Sequence, residues 1–202
     1  MRPSCGGDEI KSSKMQAYLE AQNVKKLDFL LLSDFSNTTA MYANDVVKKF
    51  NPNYVVLSNN VESMDDKLER NISDGSNAVY FSDNVKMSLW DNVEITSLNF
   101  NNQSYIYLTV NDVNFLLNPS GGNAQVLPEK YRFCDVLVSN GMLENSNLIL
   151  SAYGVVTADL ETSSNAVKIA AQEKRFPLAT AGDGNIIFDM KNNRNISIKR
   201  MI

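Results

Sequence analysis

The hydrophobic pattern of residues 27–57 predicts one strand–helix–strand unit. Leu27 to Leu32 is an apolar run, too short for a helix and typical of a buried strand. After a polar loop, apolar residues recur at helical spacing on one face. They are Ala43, Val46, Val47 and Phe50. Asn51-Pro52-Asn53 ends this helix, and Tyr54 to Leu57 is a second apolar strand. We therefore predict a βαβ unit with parallel strands and a right-handed crossover.

The residues after Leu57 predict a further helix and then an antiparallel meander. The helix carries Val61, Met64, Leu68 and Ile72 on one face. The hydrophobic period then changes to two, which is typical of strands. The predicted strands are Ala78–Phe81, Val85–Leu89, Val93–Leu98, Tyr105–Val110 and Val113–Leu117. Asn101-Asn102 and Asn111-Asp112 are hairpin-turn signals between them.

The last third of the chain alternates strands with one helix. Arg132–Val138 and Leu148–Ala152 are predicted strands. Thr162–Lys174 is a predicted helix, capped by Thr162 or Ser163, with Val167, Ala170 and Ala171 facing inward. Three short strands are predicted to follow: Pro177–Ala181, Asn185–Met190 and Ile196–Ile198.

Length, charge and cysteine content narrow the class of protein. We expect 202 residues to form one domain, 1–202, and no apolar run approaches the roughly 20 residues that cross a bilayer. The net charge of −4 speaks against nucleic-acid binding, which needs a basic surface. Cys5 and Cys134 are not spaced as a metal site, and we expect Cys134 to be a buried free thiol. Histidine is absent from the chain.

Three segments carry a resemblance to a known family. They are SKMQAYLEAQNVKKLDFLLLS, NNQSYIYLTVNDVNFLLNPSGG and the glycine-containing tail after Pro177. Their order resembles the metallo-β-lactamase superfamily and, more narrowly, the soluble domain at the end of bacterial ComEC-type DNA-uptake (competence) proteins. The resemblance implies an α/β (α+β) fold, a four-layer αββα sandwich. Because Cys5-Gly6-Gly7 falls where the family's second strand ends, we expect about two N-terminal strands to be missing or replaced.

The resemblance also shows which positions would hold the family's two metal ions. The histidines of its H-x-H-x-D-H loop fall on Asp34, Ser36 and Thr39, and the aspartate of that loop falls on Thr38. The metal-bridging aspartate falls on Ser120, another histidine near Gly141 or Met142, and the last histidine around Thr162. Hydroxyls and a single carboxylate do not hold zinc or manganese tightly. We therefore predict no catalytic residue, no bound metal and no cofactor.

These observations favour a catalytically inactive domain that acts as a structural or binding module. Its partner would be another protein or the membrane portion of a parent protein. Its location would then be extracytoplasmic or membrane-associated, with a cytoplasmic location as the alternative. A second hypothesis is a phosphodiesterase or nuclease with a weak magnesium site at the Ser33–Thr39 loop, built from Asp34 with Asp159 or Glu161. A third is DNA binding without catalysis, against which the acidic pI of about 4.9 speaks.

Overall fold

The computed structural model describes residues 16–32, 37–57, 66–80, 84–101, 103–118, 122–140, 143–156, 160–179, 185–191 and 195–201. The chain separates into two compact units, Met1–Ser82 and Asp83–Ile202. No helix within the described ranges is both long enough and apolar enough to cross a membrane.

The first unit contains a three-stranded parallel sheet with helices between its strands. Its elements are α1 (residues 16–21), β1 (Phe29–Leu32), α2 (Asn37–Phe50), β2 (Tyr54–Leu57), α3 (Asp66–Gly75) and β3 (Asn77–Tyr80). The strand order is β1-β2-β3, and both pairings are parallel. The predicted βαβ unit is confirmed in its elements and in the parallel direction of its strands.

The core of the first unit forms where α2 and α3 cover this sheet. The four apolar residues predicted to face inward from α2 are all at most 3% exposed. Leu32, Val55, Leu57 and Ile72 join the same core. Helix α2 ends as predicted, because Asn51 takes a left-handed φ of 38° and Pro52 cannot continue the helix.

One strand of the predicted meander belongs to this first sheet instead. Strand β3 pairs parallel with β2, for example Val79 with Val56, so its assignment to the antiparallel meander was wrong. A four-residue apolar run satisfies either kind of sheet, and its neighbours in space decide the pairing. The antiparallel meander begins only at the next strand.

The second unit is built on a seven-stranded mixed sheet. The seven strands of the sheet are β4 (Lys86–Trp90), β5 (Val93–Phe100), β6 (Gln103–Val110), β7 (Val113–Asn118), β9 (Val136–Ser139), β11 (Tyr153–Val156) and β12 (Phe176–Ala179). The unit also contains the short strands β8 (Gly122–Asn123) and β10 (Leu143–Glu144). Helix α4 (Leu160–Gln172) and the hairpin of β13 (Asn185–Lys191) with β14 (Asn195–Met201) complete it. The sheet order is β12-β11-β9-β7-β6-β5-β4, while β8 and β10 form a separate pair.

The direction of the strands changes in the middle of this sheet. Strands β4 to β7 are antiparallel neighbours, as predicted for the meander, and β7, β9, β11 and β12 run parallel. The turn between β6 and β7 has φ values of 49° at Asn111 and 64° at Asp112. Two consecutive positive φ values are typical of a type I′ hairpin turn, which asparagine and aspartate tolerate.

Alternate side chains of the sheet form two separate cores. Leu116 and Leu137 belong to one core together with Leu98, Tyr105 and Ile149. The neighbouring residues Phe115 and Val136 belong to the other core, which the β13–β14 hairpin covers with Phe188 and Ile196. Helix α4 approaches the first of these faces at Gly154, where an added Cβ would lie 3.3 Å from the Cβ of Ala170.

The structure corrects three local predictions in this unit. Leu148–Ala152 is not a strand: a 3-10 helix spans Ser146–Leu148, and the strand begins at Tyr153. Helix α4 begins at Leu160, so Thr162 and Ser163 lie in its first turn and are not its caps. Ala171 is exposed, whereas Ala170 is buried as predicted. The four-layer sandwich and the loss of N-terminal strands stay predictions.

Candidate functional site

The candidate site lies at the carboxyl ends of the parallel strands in the second unit. Asn118 is the last residue of β7 and pairs with Ser139, the last residue of β9. Ser139 in turn pairs with Val156 at the end of β11. In open α/β sheets, ligands bind outside the carboxyl ends of parallel strands. Two polar side chains therefore lie side by side at the edge where a ligand is expected.

The side-chain amide of Asn118 is buried without a partner in the described part of the chain. The residue is 1% exposed, and neither Oδ1 nor Nδ2 has a hydrogen-bond partner there. Its backbone carbonyl accepts a hydrogen bond from the amide of Asn140 at 3.0 Å, which continues the β7–β9 pairing. Buried polar groups are nearly always hydrogen-bonded, and an unpaired one lowers stability by about 1–3 kcal/mol. An unpaired amide at this edge is therefore a feature of the candidate site.

A short parallel pair of strands, β8 with β10, follows this edge. Gly122 pairs with Leu143, and Asn123 pairs with Glu144. The backbone amide of Asn123 donates a hydrogen bond to Gln103 Oε1 at 2.8 Å, and the Tyr105 hydroxyl donates to the same oxygen at 2.9 Å. Burial raises the pKa of Tyr105, although its hydrogen bond to the Asn123 carbonyl opposes that rise. The hydroxyl is therefore a neutral donor that anchors this strand pair.

The residues predicted to hold the family's metal ions are only partly within the described residues. Asp34, Ser36, Ser120 and Gly141 lie outside them, as do Met142 and Asp159. Thr38 and Thr39 are in the first turn of α2, directly after Asn37. Glu161 and Thr162 are in the first turn of α4. Thr38 and Thr39 lie together because they are consecutive, and the grouping of the other positions stays a prediction.

No protein-family model and no curated protein matches the chain. Among solved structures, the chain is similar to the metallo-β-lactamase fold protein YhfI from Bacillus subtilis, with a TM-score of 0.57 and 9% identity over 82% of this chain and 79% of that chain. The chain has the metallo-β-lactamase fold. It is also similar to Zn²⁺-bound PqqB from Methylobacterium extorquens, with a TM-score of 0.51 and 9% identity over 75% of this chain and 67% of that chain.

At 9% identity these two likenesses concern the fold alone. The predicted mixed α/β class is confirmed, since the chain has several sheets and a few helices and resembles metallo-β-lactamase fold structures. The narrower resemblance to ComEC-type proteins stays a prediction.

The two metal ions implied by the metallo-β-lactamase resemblance can be tested against the side chains at the strand ends. Asn118 and Ser139 supply an amide oxygen and a hydroxyl, both neutral. Zinc and manganese hydrolases need imidazoles and carboxylates, and this chain has no imidazole. Within the described ranges, no group of three or more Cys, Asp or Glu side chains could hold a metal ion. The described side chains therefore do not fit a two-metal centre.

Sequence reasoning missed the Asn118–Ser139 pair. The signal that could have found it is an asparagine directly after the predicted strand Val113–Leu117. A polar residue at the carboxyl end of a buried parallel strand is an expected position for a ligand-binding group. The resemblance directed attention to Ser120 instead, two residues further along the chain.

Proposed function

We propose that this chain is a metallo-β-lactamase-fold domain of the ComEC type that lacks metal-dependent hydrolysis and acts as a structural or binding module. The observation that carries the proposal is the complete absence of histidine from a chain with this fold. A two-metal hydrolase generates hydroxide from water that neutral imidazoles and carboxylates hold against the metal ions. The chain cannot supply those imidazoles at any position.

The neutral side chains at the ends of β7 and β9 support the same proposal. Asn118 and Ser139 can donate and accept hydrogen bonds, but neither is an anion at neutral pH. A hydrogen-bonding edge of this kind suits recognition of a neutral polar group better than activation of water. Under this proposal, the domain would bind its partner at the edge of the sheet where active members of the family carry out chemistry.

The partner of the proposed module is a protein or the membrane portion of a parent protein. The net charge of −4 gives little attraction to the phosphates of DNA, which dominate the affinity of most DNA-binding proteins. DNA binding by this domain is therefore the less favoured alternative. Weak, strongly salt-dependent binding to double-stranded or single-stranded DNA would support the DNA-binding alternative.

Metal content and nuclease activity of the purified protein test the proposal. We expect far less than one equivalent of zinc or manganese by mass spectrometry after dialysis against metal-free buffer. We also expect no cleavage of single- or double-stranded DNA with added Mg²⁺ or Mn²⁺. Cleavage that Asp34→Ala abolishes and the matched Asp45→Ala change leaves intact would instead establish the Asp34-based hydrolase. Asp45 is a suitable control because it is an exposed carboxylate on α2.

A further inference from the structure

A cavity of about 660 Å³ lies in the second unit, at the end of the sheet opposite to Asn118. Its lining comes from the segments that lead into three neighbouring parallel strands: Cys134 before β9, Ile149–Ala152 before β11, and Gln172–Arg175 before β12. The amino ends of parallel strands meet at one edge, so these segments converge there. Four residues of strand separate this edge from the carboxyl ends, a distance of about 13 Å. The cavity is therefore a different place from the site of the metallo-β-lactamase fold.

Arg175 holds the wall of this cavity in place. Its guanidinium Nη2 donates to the carbonyl of Ile149 at 2.6 Å and also to the carbonyl of Ser146, and Nη1 donates to the Glu173 carboxylate. The Ser146 hydroxyl donates to the other oxygen of Glu173 at 2.8 Å. This network joins the connection before β11 to the connection before β12. The cavity wall is therefore pre-formed, as ligand sites usually are.

Two polar atoms of the lining residues remain without a partner in the described part of the chain. They are the Nε of Arg175, in a residue only 6% exposed, and the hydroxyl of Ser151. A serine hydroxyl is both a donor and an acceptor, and one rotation about χ1 redirects it. Unsatisfied buried polar groups in a native fold call for an explanation. After that rotation the Ser151 hydroxyl could donate to an acceptor of a ligand in the cavity, whereas Arg175 Nε is enclosed and fixed by the other hydrogen bonds of the guanidinium.

The cavity combines an apolar side with a positive charge. Ile149, Leu150, Ala152 and Cys134 line the apolar side, and Lys174 contributes an exposed ammonium. Glu173 neutralises Arg175, so Lys174 leaves an excess of one positive charge. Burial raises the pKa of Cys134 to about 12, so the thiol is protonated at neutral pH and belongs to the apolar side. The volume lies within the range of about 300–1,000 Å³ that is usual for small-molecule sites.

We propose that this cavity binds a small organic carboxylate with an apolar body. The carboxylate would lie near the Lys174 ammonium and accept a hydrogen bond from the Ser151 hydroxyl. The apolar body would lie against Ile149, Leu150 and the protonated thiol of Cys134. This site is independent of the proposed loss of metal chemistry, because it shares no residue with the carboxyl ends of the strands.

Titration of the ¹⁵N-labelled protein with 4-phenylbutanoate tests the proposal. We expect saturable amide shifts confined to the lining residues Cys134, Asn147, 149–152 and 172–175, and at least tenfold weaker binding of 4-phenylbutan-1-ol and 4-phenylbutylamine. Lys174→Gln should weaken the affinity for the carboxylate about threefold, in the range of an exposed charge pair. The matched control Lys168→Gln, an exposed lysine of α4 outside the cavity, should leave it unchanged.

A steric variant separates binding in the cavity from binding elsewhere. Ala152→Trp places a large ring at an exposed lining position, and we expect it to abolish the shifts. The dispersion of the amide spectrum and an unchanged backbone amide resonance of Trp90, which lies in β4 at the far edge of the sheet, report that the variant is folded. Equal binding of the amine, shifts that persist in folded Ala152→Trp, or no saturable shift with the carboxylate would each overturn the proposal.

Discussion

The guanidinium of Arg175 forms an ion pair with the carboxylate of Glu173, two residues earlier in the connection between α4 and β12. Arg175 is almost completely buried, and the side chain of Glu173 is 17% exposed. The Arg175 guanidinium also donates to the backbone carbonyls of Ser146 and Ile149. A buried charge in the connection before β12 thus fixes the position of the connection before β11.

We predict that Glu173→Ala lowers the free energy of unfolding by about 3 kcal/mol, because it leaves the buried guanidinium of Arg175 without its counter-ion. Urea denaturation followed by circular dichroism measures this change. The control Glu129→Ala removes an exposed carboxylate and should change stability by less than about 0.5 kcal/mol. In the Arg175→Met background, the loss caused by Glu173→Ala should shrink, since no unpaired charge remains. Equal losses in both backgrounds would contradict the assigned role of the pair.

A second prediction concerns the close approach of backbone to side chain at Gly122. This residue has a φ of 153°, and an added Cβ would lie 2.8 Å from the Tyr105 hydroxyl oxygen and 2.9 Å from Gln103 Oε1. We expect Gly122→Ala to lower the free energy of unfolding by about 1–3 kcal/mol through overpacking and backbone strain. The penalty should be smaller when Tyr105→Phe is also present, because the hydroxyl is then gone. A double-mutant cycle by denaturation measures the difference, and the absence of any coupling would refute the contact.

Local patterns predicted those parts of the fold that local chemistry determines. Helix α2 was predicted because its apolar residues recur at the helical period, and the structure buries all four of them. The turn at Asn111-Asp112 was predicted because these residue types tolerate positive φ, which both adopt. The pairing of β3 could not be predicted in this way, because an apolar strand of four residues carries no information about its neighbour.

The candidate site depended more on tertiary neighbours and was predicted less well. The register of β7 against β9 brings Asn118 beside Ser139, although 20 residues of sequence lie between these two positions. Arg175 reads in the sequence as part of a short basic cluster with Lys174, which is typical of a solvated helix end. Its burial follows from the carbonyls of Ser146 and Ile149, which no pattern near Arg175 reveals.

The thiol of Cys134 gives a prediction on the dependence of stability on pH. Burial raises its pKa from 9.0 to about 12, partly offset by Arg175. The folded state therefore favours the protonated thiol, and the unfolded chain loses the proton first as the pH rises. The contribution of the protonated Cys134 thiol to the free energy of unfolding is therefore fully present below pH 9. It is lost between pH 9 and about 12, at up to about 1.4 kcal/mol per pH unit.

Comparison of the wild-type protein with the Cys134→Ala variant checks this expectation. The difference in unfolding free energy between the two proteins should be constant from pH 6 to 8 and should shift in favour of Cys134→Ala above about pH 9. The comparison cancels the contribution of Tyr105, whose pKa is also raised by burial. A difference that stays constant up to pH 11 would show that the sulfur is not held in its protonated form by the fold.

The unpaired amide of Asn118 gives the prediction that bears most directly on the candidate site. Neither of its amide atoms has a partner in the described part of the chain, and the residue ends the buried strand β7. Leucine has nearly the same shape and no polar atoms, so we expect Asn118→Leu to raise the free energy of unfolding by about 1–3 kcal/mol. Thermal and urea denaturation measure the gain, and Asn114→Leu serves as the control. Asn114 accepts a hydrogen bond from the Thr109 hydroxyl at 2.8 Å, so its replacement should destabilise the protein.

If Asn118→Leu also destabilises the protein, the amide has a structural partner and the edge of the sheet is not a binding site. If it stabilises, the wild-type chain retains an unfavourable polar group at the place where this fold binds ligands, which is expected of a residue kept for recognition.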